Sequence, residues 1–204
     1  MKPKIYKLNG KYDMKIKLLL SAITILMLTG CTGTKVKITP EPMAFDQGVN
    51  RSYDSVGIRD IPSDKTYPAT GNLTEAFSNE MRTSGFSEEV YYPFRPDDKT
   101  DITLDSHFTS EVDMHSGSMF AKSFFTGLTL FLIEPFIWYD FDYTLTGNLV
   151  VLKDGKESKR VSGQTEATIS AKWLSLSELQ SLEGKALSKA KKSLFQQLMH
   201  KIPN

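Results

Sequence analysis

The side chains best suited to chemistry crowd onto one stretch. Asp105, His107, Glu111, Asp113 and His115 alternate along Asp101 to His115, and all are metal-ligand types. Same-face residues on a strand advance about 6.5 Å per pair, which sets His107 and His115 about 26 Å apart. They cannot share an ion, and polar alternation is what a solvated strand face requires. No metal site is expected. Asp97-Asp98 falls in a Pro-flanked loop, and Asp140 and Asp142 alternate on another strand; neither arrangement specifies acid–base work. The chain has no Gly-x-Ser-x-Gly, no phosphate-cradling glycine loop and no His-Glu-x-x-His. No catalytic residue and no cofactor are expected, and the chain does not read as an enzyme.

Cys31 is the only cysteine, so no intramolecular disulfide can form. What precedes it carries the information. Met14-Lys15-Ile16-Lys17 is basic, Leu18 to Leu28 is apolar except for Ser21 and Thr24, and Thr29-Gly30 are small. That order describes a secretory signal peptide. The apolar run is well short of the roughly 20 residues a spanning helix needs. Leu28-Thr29-Gly30-Cys31 resembles the lipobox of bacterial lipoproteins. The resemblance implies that the Cys31 thiol is diacylated, that residues 1–30 are removed, and that the new amino group receives a further chain. Two or three acyl chains hold a protein where one does not, at about 0.8 kcal/mol per buried CH₂. The next residue is Thr32 rather than Asp, which in a host with two membranes implies delivery to the outer membrane, facing the periplasm. Residues 1–13 either lengthen the basic region or precede a true start at Met14.

Cleavage before Cys31 leaves 174 of the 204 residues, enough for one domain with a core. It removes six Lys and one Asp from 25 basic and 24 acidic residues, leaving 19 and 23 and a net charge of −4. A mildly acidic body with scattered lysines excludes the concentrated basic face of a nucleic-acid binder.

The elements follow from local pattern. Residues 31–52, broken by Pro40, Pro42 and Gly48, read as a tether, with a short strand at Lys35-Val36-Lys37-Ile38 as the alternative. A single domain then occupies 53–204. Val56 to Ile61 predicts a strand. Asn72 caps a helix through Leu73, Ala76, Phe77 and Met81, which Gly85 stops. Phe86 to Phe94 and Asp101 to His115 predict two more strands. Asp140 to Leu152 and Glu157 to Ile169 flank Asp154-Gly155, a type I′ hairpin signal. Ser175 to Ile202 predicts a helix with a capping box at Ser175/Glu178 or Ser177/Gln180, and Gly184 is placed to break its first turn. The expected fold class is α+β: a mostly antiparallel sheet of about five strands, two helices on one face, and an apolar crossover segment. The helix running into Ser84-Gly85-Phe86, and the Asp101-Ile102-Thr103-Leu104 strand after it, resemble small α/β envelope lipoproteins. These include the transport-auxiliary lipoproteins and the N-terminal domain of the translocation protein TolB. That likeness implies an architecture and no activity.

The crossover segment, Met119 to Tyr139, is the most apolar part of the body. It either covers an open end of the sheet or forms a contact surface for lipid or another protein. Phe124, Phe125, Leu128, Phe131, Phe136, Trp138 and Tyr139 are the candidate contact residues, the last two suited to a water–lipid boundary. The expected function is a membrane-anchored, non-enzymatic accessory or assembly subunit that binds another envelope protein. The alternative is a lipoprotein that binds or handles lipid or glycolipid through residues 119–139.

Overall fold

Alternating side chains build a sheet with one dry and one wet face, and the protein is organised around that contrast. The computed structural model describes residues 33–43, 53–129, 136–172 and 178–202. Six strands are described, β1 (Thr34–Thr39), β2 (Tyr53–Asp60), β3 (Ser87–Tyr91), β4 (Ile102–Asp113), β5 (Tyr139–Lys153) and β6 (Lys156–Ala171). They form one sheet in the order β1-β6-β5-β4-β2-β3. Three helices accompany them, α1 (Leu73–Ser84), α2 (Ser116–Leu128) and α3 (Leu179–Lys201).

The class is α+β, with two corrections to the expected sheet. It has six strands, because Thr34–Thr39 pairs antiparallel with β6 from Thr34↔Ala171 to Thr39↔Glu166. The strand alternative therefore holds for these residues, and the chain is not a free tether there. The sheet is also partly parallel, since β2 runs parallel to both β3 and β4. For β3 the reason is α1, a helical crossover that returns the chain to the end where β2 began, and the connection over 92–101 then passes β2 to start β4 in the same direction.

Local signals produced the expected ends. Asn72 Oδ1 accepts from the Glu75 amide at 2.9 Å, and Gly85 takes the left-handed conformation that closes α1. Asp154 and Gly155 both have positive φ, as a type I′ turn demands. α3 begins at Leu179 and runs unbroken through Gly184, so that glycine does not separate a first turn. Ser175 and Ser177 lie outside the described residues, and Glu178 makes no side-chain cap bond.

α1 and α3 cover the apolar face. Phe77 of α1, Phe108 of β4 and Phe195 of α3 meet with ring centroids 5.3 to 5.8 Å apart, a three-way aromatic joint at the centre of the core. α3 comes close to the sheet because β5 and β6 present Gly147 opposite Gly163. A Cβ on Gly147 would lie 2.7 Å from the Phe108 ring and 2.8 Å from Leu198. Ser106 and Ser110 also point inward but are satisfied. Ser106 Oγ donates to the Arg59 carbonyl at 2.9 Å, and Ser110 Oγ accepts from the Tyr67 amide at 2.7 Å.

Among the described residues, the only helix that meets the opposite face is α2, at its Asp140–Asp142 end. Along β4 and β5 this face sets Asp113 opposite Asp142, Glu111 opposite Thr144, Thr109 opposite Thr146 and His107 opposite Asn148, with Asp105 and Thr103 opposite Val150 and Leu152. The result is a broad polar surface across four antiparallel strands.

Candidate functional site

The polar strand face does not gather its ligand-type residues. Arg59 on β2 clamps Asp105 through two bonds of 2.6 and 3.0 Å, and Lys65 pairs with Glu111 at 2.9 Å. His107 Nδ1 lies 3.2 Å from the Ile61 carbonyl. His115 turns away to the sheet's end. Among the described residues no three His, Cys, Asp or Glu converge as a metal site.

The sheet's end at the start of β5 is the distinctive region. Asp113, the last residue of β4, lies opposite Asp142. Tyr139, the first of β5, pairs with Ala171, which also pairs with Thr34 at the start of β1. Four strands therefore open or close at one end, and α2 hangs from it as part of the connection from β4 to β5.

Polar groups fix how α2 is turned. His115 sits just before it in the left-handed region, at φ 46 and ψ 45, a strained position for a non-glycine residue. Its amide donates to Asp113 Oδ1 at 2.7 Å, and its Nε2 donates to Asp142 Oδ2 at 2.6 Å. One turn into the helix and beyond, Lys122 donates to the Trp138 carbonyl and lies 3.7 Å from Asp140. Thr126 is the one buried residue of α2. With His115, Lys122 and Thr126 facing the sheet end, the apolar stripe must face outward. Phe120, Phe124 and Leu128 fall at helical i, i+4, i+8 spacing and are 75, 56 and 65% exposed. Phe125 stands beside Phe124 with ring centroids 6.0 Å apart, and Phe136 is likewise exposed.

The candidate contact residues thus divide. Phe124, Phe125, Leu128 and Phe136 lie at the surface. Trp138 is half-buried, with the ammonium groups of Lys35 and Lys172 4.5 and 5.3 Å from its ring centre. Tyr139 must be removed from the set: it occupies the inward face of β5 with Phe141 and Tyr143 and is 2% exposed. Phe131 lies outside the described residues, as do Leu28, Thr29, Gly30 and Cys31. Phe120 belongs with the exposed group, and its i, i+4 relation to Phe124 is the signal that reveals it. Nothing in one sequence marks Lys35, Lys122 and Lys172 as neighbours, because they come from three distant elements.

The His115–Asp142 contact makes a pH-dependent clasp. The hydrogen bond to Asp142, with the nearby Asp113 carboxylate, holds the imidazole pKa above its usual value near 6.5 against the opposing effect of desolvation. A raised folded-state value stabilises the protonated, clasped form. That contribution is complete below about pH 6.5 and is lost as the pH rises through the raised value. An NMR titration should therefore find His115 titrating above the ordinary histidine range, and Asp142→Asn should return it towards that range. A His115 that titrates normally in the unsubstituted protein would exclude the clasp.

No protein-family model matches the chain, and no curated protein matches it. Among the solved structures similar to the chain are two of low identity. A minor lipoprotein from Acinetobacter baumannii is 13% identical over 75% of this chain and 92% of that one, with a TM-score of 0.46. A PelC dodecamer from Paraburkholderia phytofirmans is 11% identical over 78% and 97%, with a TM-score of 0.32. Likeness of that degree leaves function to be argued from the chain's own residues. Among those described, no helix is long and apolar enough to cross a membrane.

Proposed function

We propose that the chain is a lipid-anchored envelope lipoprotein, a non-enzymatic accessory or assembly subunit that binds another envelope protein. The observation that carries this reading is the Leu28-Thr29-Gly30-Cys31 sequence standing directly ahead of a folded body whose first strand begins at Thr34. An acylated Cys31 places the body outside the cytoplasm and, with Thr32 following, on the inner leaflet of an outer membrane where the host has one. Partner binding is supported by the polar face of β6, β5 and β4, which no described helix covers beyond its Asp140–Asp142 end. Its rows of Thr, Ser and Asx side chains, interspersed with Glu111, Gln164 and Glu166, offer many donors and acceptors.

Crosslinking in intact envelopes, followed by purification of the full chain, tests the reading. One dominant protein partner is expected, and its yield should collapse when Thr109 and Thr144 on the polar face are both replaced by Arg. Recovery of the chain with no protein crosslinked, or with the same partner after both replacements, counts against partner binding by this face. A second reading, a lipoprotein that binds lipid or glycolipid through residues 119–139, is favoured by the outward Phe120–Leu128 stripe. Lipid co-purifying in place of a protein partner would select it.

A further inference from the structure

We propose that the α2 end of the sheet docks directly on the bilayer that holds the acyl anchor. Phe120, Phe124, Phe125, Leu128 and Phe136 form the apolar contact, and Trp138 with its flanking lysines lies at headgroup level. The inference rests on the lipoprotein reading, and its geometry comes from where the chain enters the sheet.

Only two residue steps separate Cys31 from Gly33. Fully extended, they span at most about 7 Å, little more than the polar headgroup layer of one leaflet. Gly33 is already held by the fold. Its carbonyl accepts from the Lys172 amide at 3.1 Å, and a Cβ placed on it would come within 3.1 Å of the Trp138 ring. An acyl chain on Cys31 therefore brings the neighbourhood of Trp138 to the membrane surface, with no length of chain left to hold it off.

That neighbourhood is also where α2 hangs, because Thr34, Ala171 and Tyr139 are neighbours across the sheet. The side chains there have the chemistry a lipid surface recognises. The Phe120–Phe124–Leu128 stripe is about 12 Å long at the helical rise, and its polar anchors point the other way, into the sheet. A short helix whose apolar side is out and whose polar side is in suits immersion in the acyl boundary, not bulk water. Indole beside ammonium groups is the combination favoured where hydrocarbon meets water. A soluble protein on this end would have to share it with the anchor.

The experiment uses the full acylated chain carrying Trp173→Phe, so that Trp138 alone fluoresces. The protein is reconstituted in phosphatidylethanolamine–phosphatidylglycerol vesicles containing lipids brominated high on their acyl chains. Trp138 is expected to be quenched. Adding Phe124→Ser and Leu128→Ser should lower the docked-to-undocked ratio about 100-fold, at tenfold or more for each large apolar side chain. The melting temperature and the acylated mass should stay unchanged. An acylated, vesicle-bound protein whose Trp138 is not quenched overturns the docking and leaves the lipoprotein reading standing. So does an oligomer, measured by light scattering in detergent, that the two substitutions disperse, since the stripe then meets a second copy. An intact mass without acyl chains on Cys31 overturns the lipoprotein reading and the docking with it.

Discussion

Cys31→Ser should leave the chain as an uncleaved precursor that takes up no fatty-acid analogue. The lipobox resemblance makes the thiol the acceptor of the first lipid, and a hydroxyl at the same place is not a substitute nucleophile. Cleavage before residue 31 follows acylation in that family, so both events should fail together. The consequence for the mature protein is large. Two acyl chains bury enough CH₂ groups, at about 0.8 kcal/mol each, to make release from a bilayer negligible, and the α2 stripe alone gives only reversible contact. The measurements are the mobility of the chain, incorporation of the label, and its partition between membrane and soluble fractions. A Cys31→Ser variant that is still cut after Gly30 and still labelled would refute the assignment of Cys31.

How much of this was legible in the sequence depended on the range of the signal. Asn72, Gly85 and Asp154-Gly155 act within a few residues, and each did what its type predicts. The alternation from Ile102 to Asp113 reports its own two faces, and β4 has them. The parallel pairing of β2 with β3 and β4 is a long-range outcome that no window of a few residues contains. β1 is ambiguous in sequence for a physical reason: as an edge strand it buries only Ile38, so its pattern is scarcely distinguishable from an extended tether. At the candidate site, spacing places Phe120, Phe124 and Leu128 on one helix stripe but does not say which way the stripe points. That is decided by His115 and Lys122 gripping the sheet end, with Thr126 buried on the same side. Tyr139 misleads because it closes the apolar run in sequence while opening the core face of β5 in space.

Phe77→Ala should destabilise the domain by about 3–5 kcal/mol, the range for emptying a buried aromatic site. Phe77 has no exposure and sits between Phe108 and Phe195. Its removal therefore cuts the joint that ties α1 to the sheet and to α3, and neither neighbour can fill the space without leaving the other. A loss of that size is a large part of the stability of a typical domain, so the melting temperature should fall steeply or the cooperative transition disappear. The same truncation at Phe124, which is more than half exposed and among the described aromatic rings meets only Phe125, should move the melting temperature by no more than about 0.5 kcal/mol would. The pair is informative because the two residues are chemically identical and differ only in what covers them. Thermal unfolding of both variants, followed by circular dichroism, reads the difference directly. Equal destabilisation would mean that the α2 stripe is packed against the protein, and its outward placement would then be wrong.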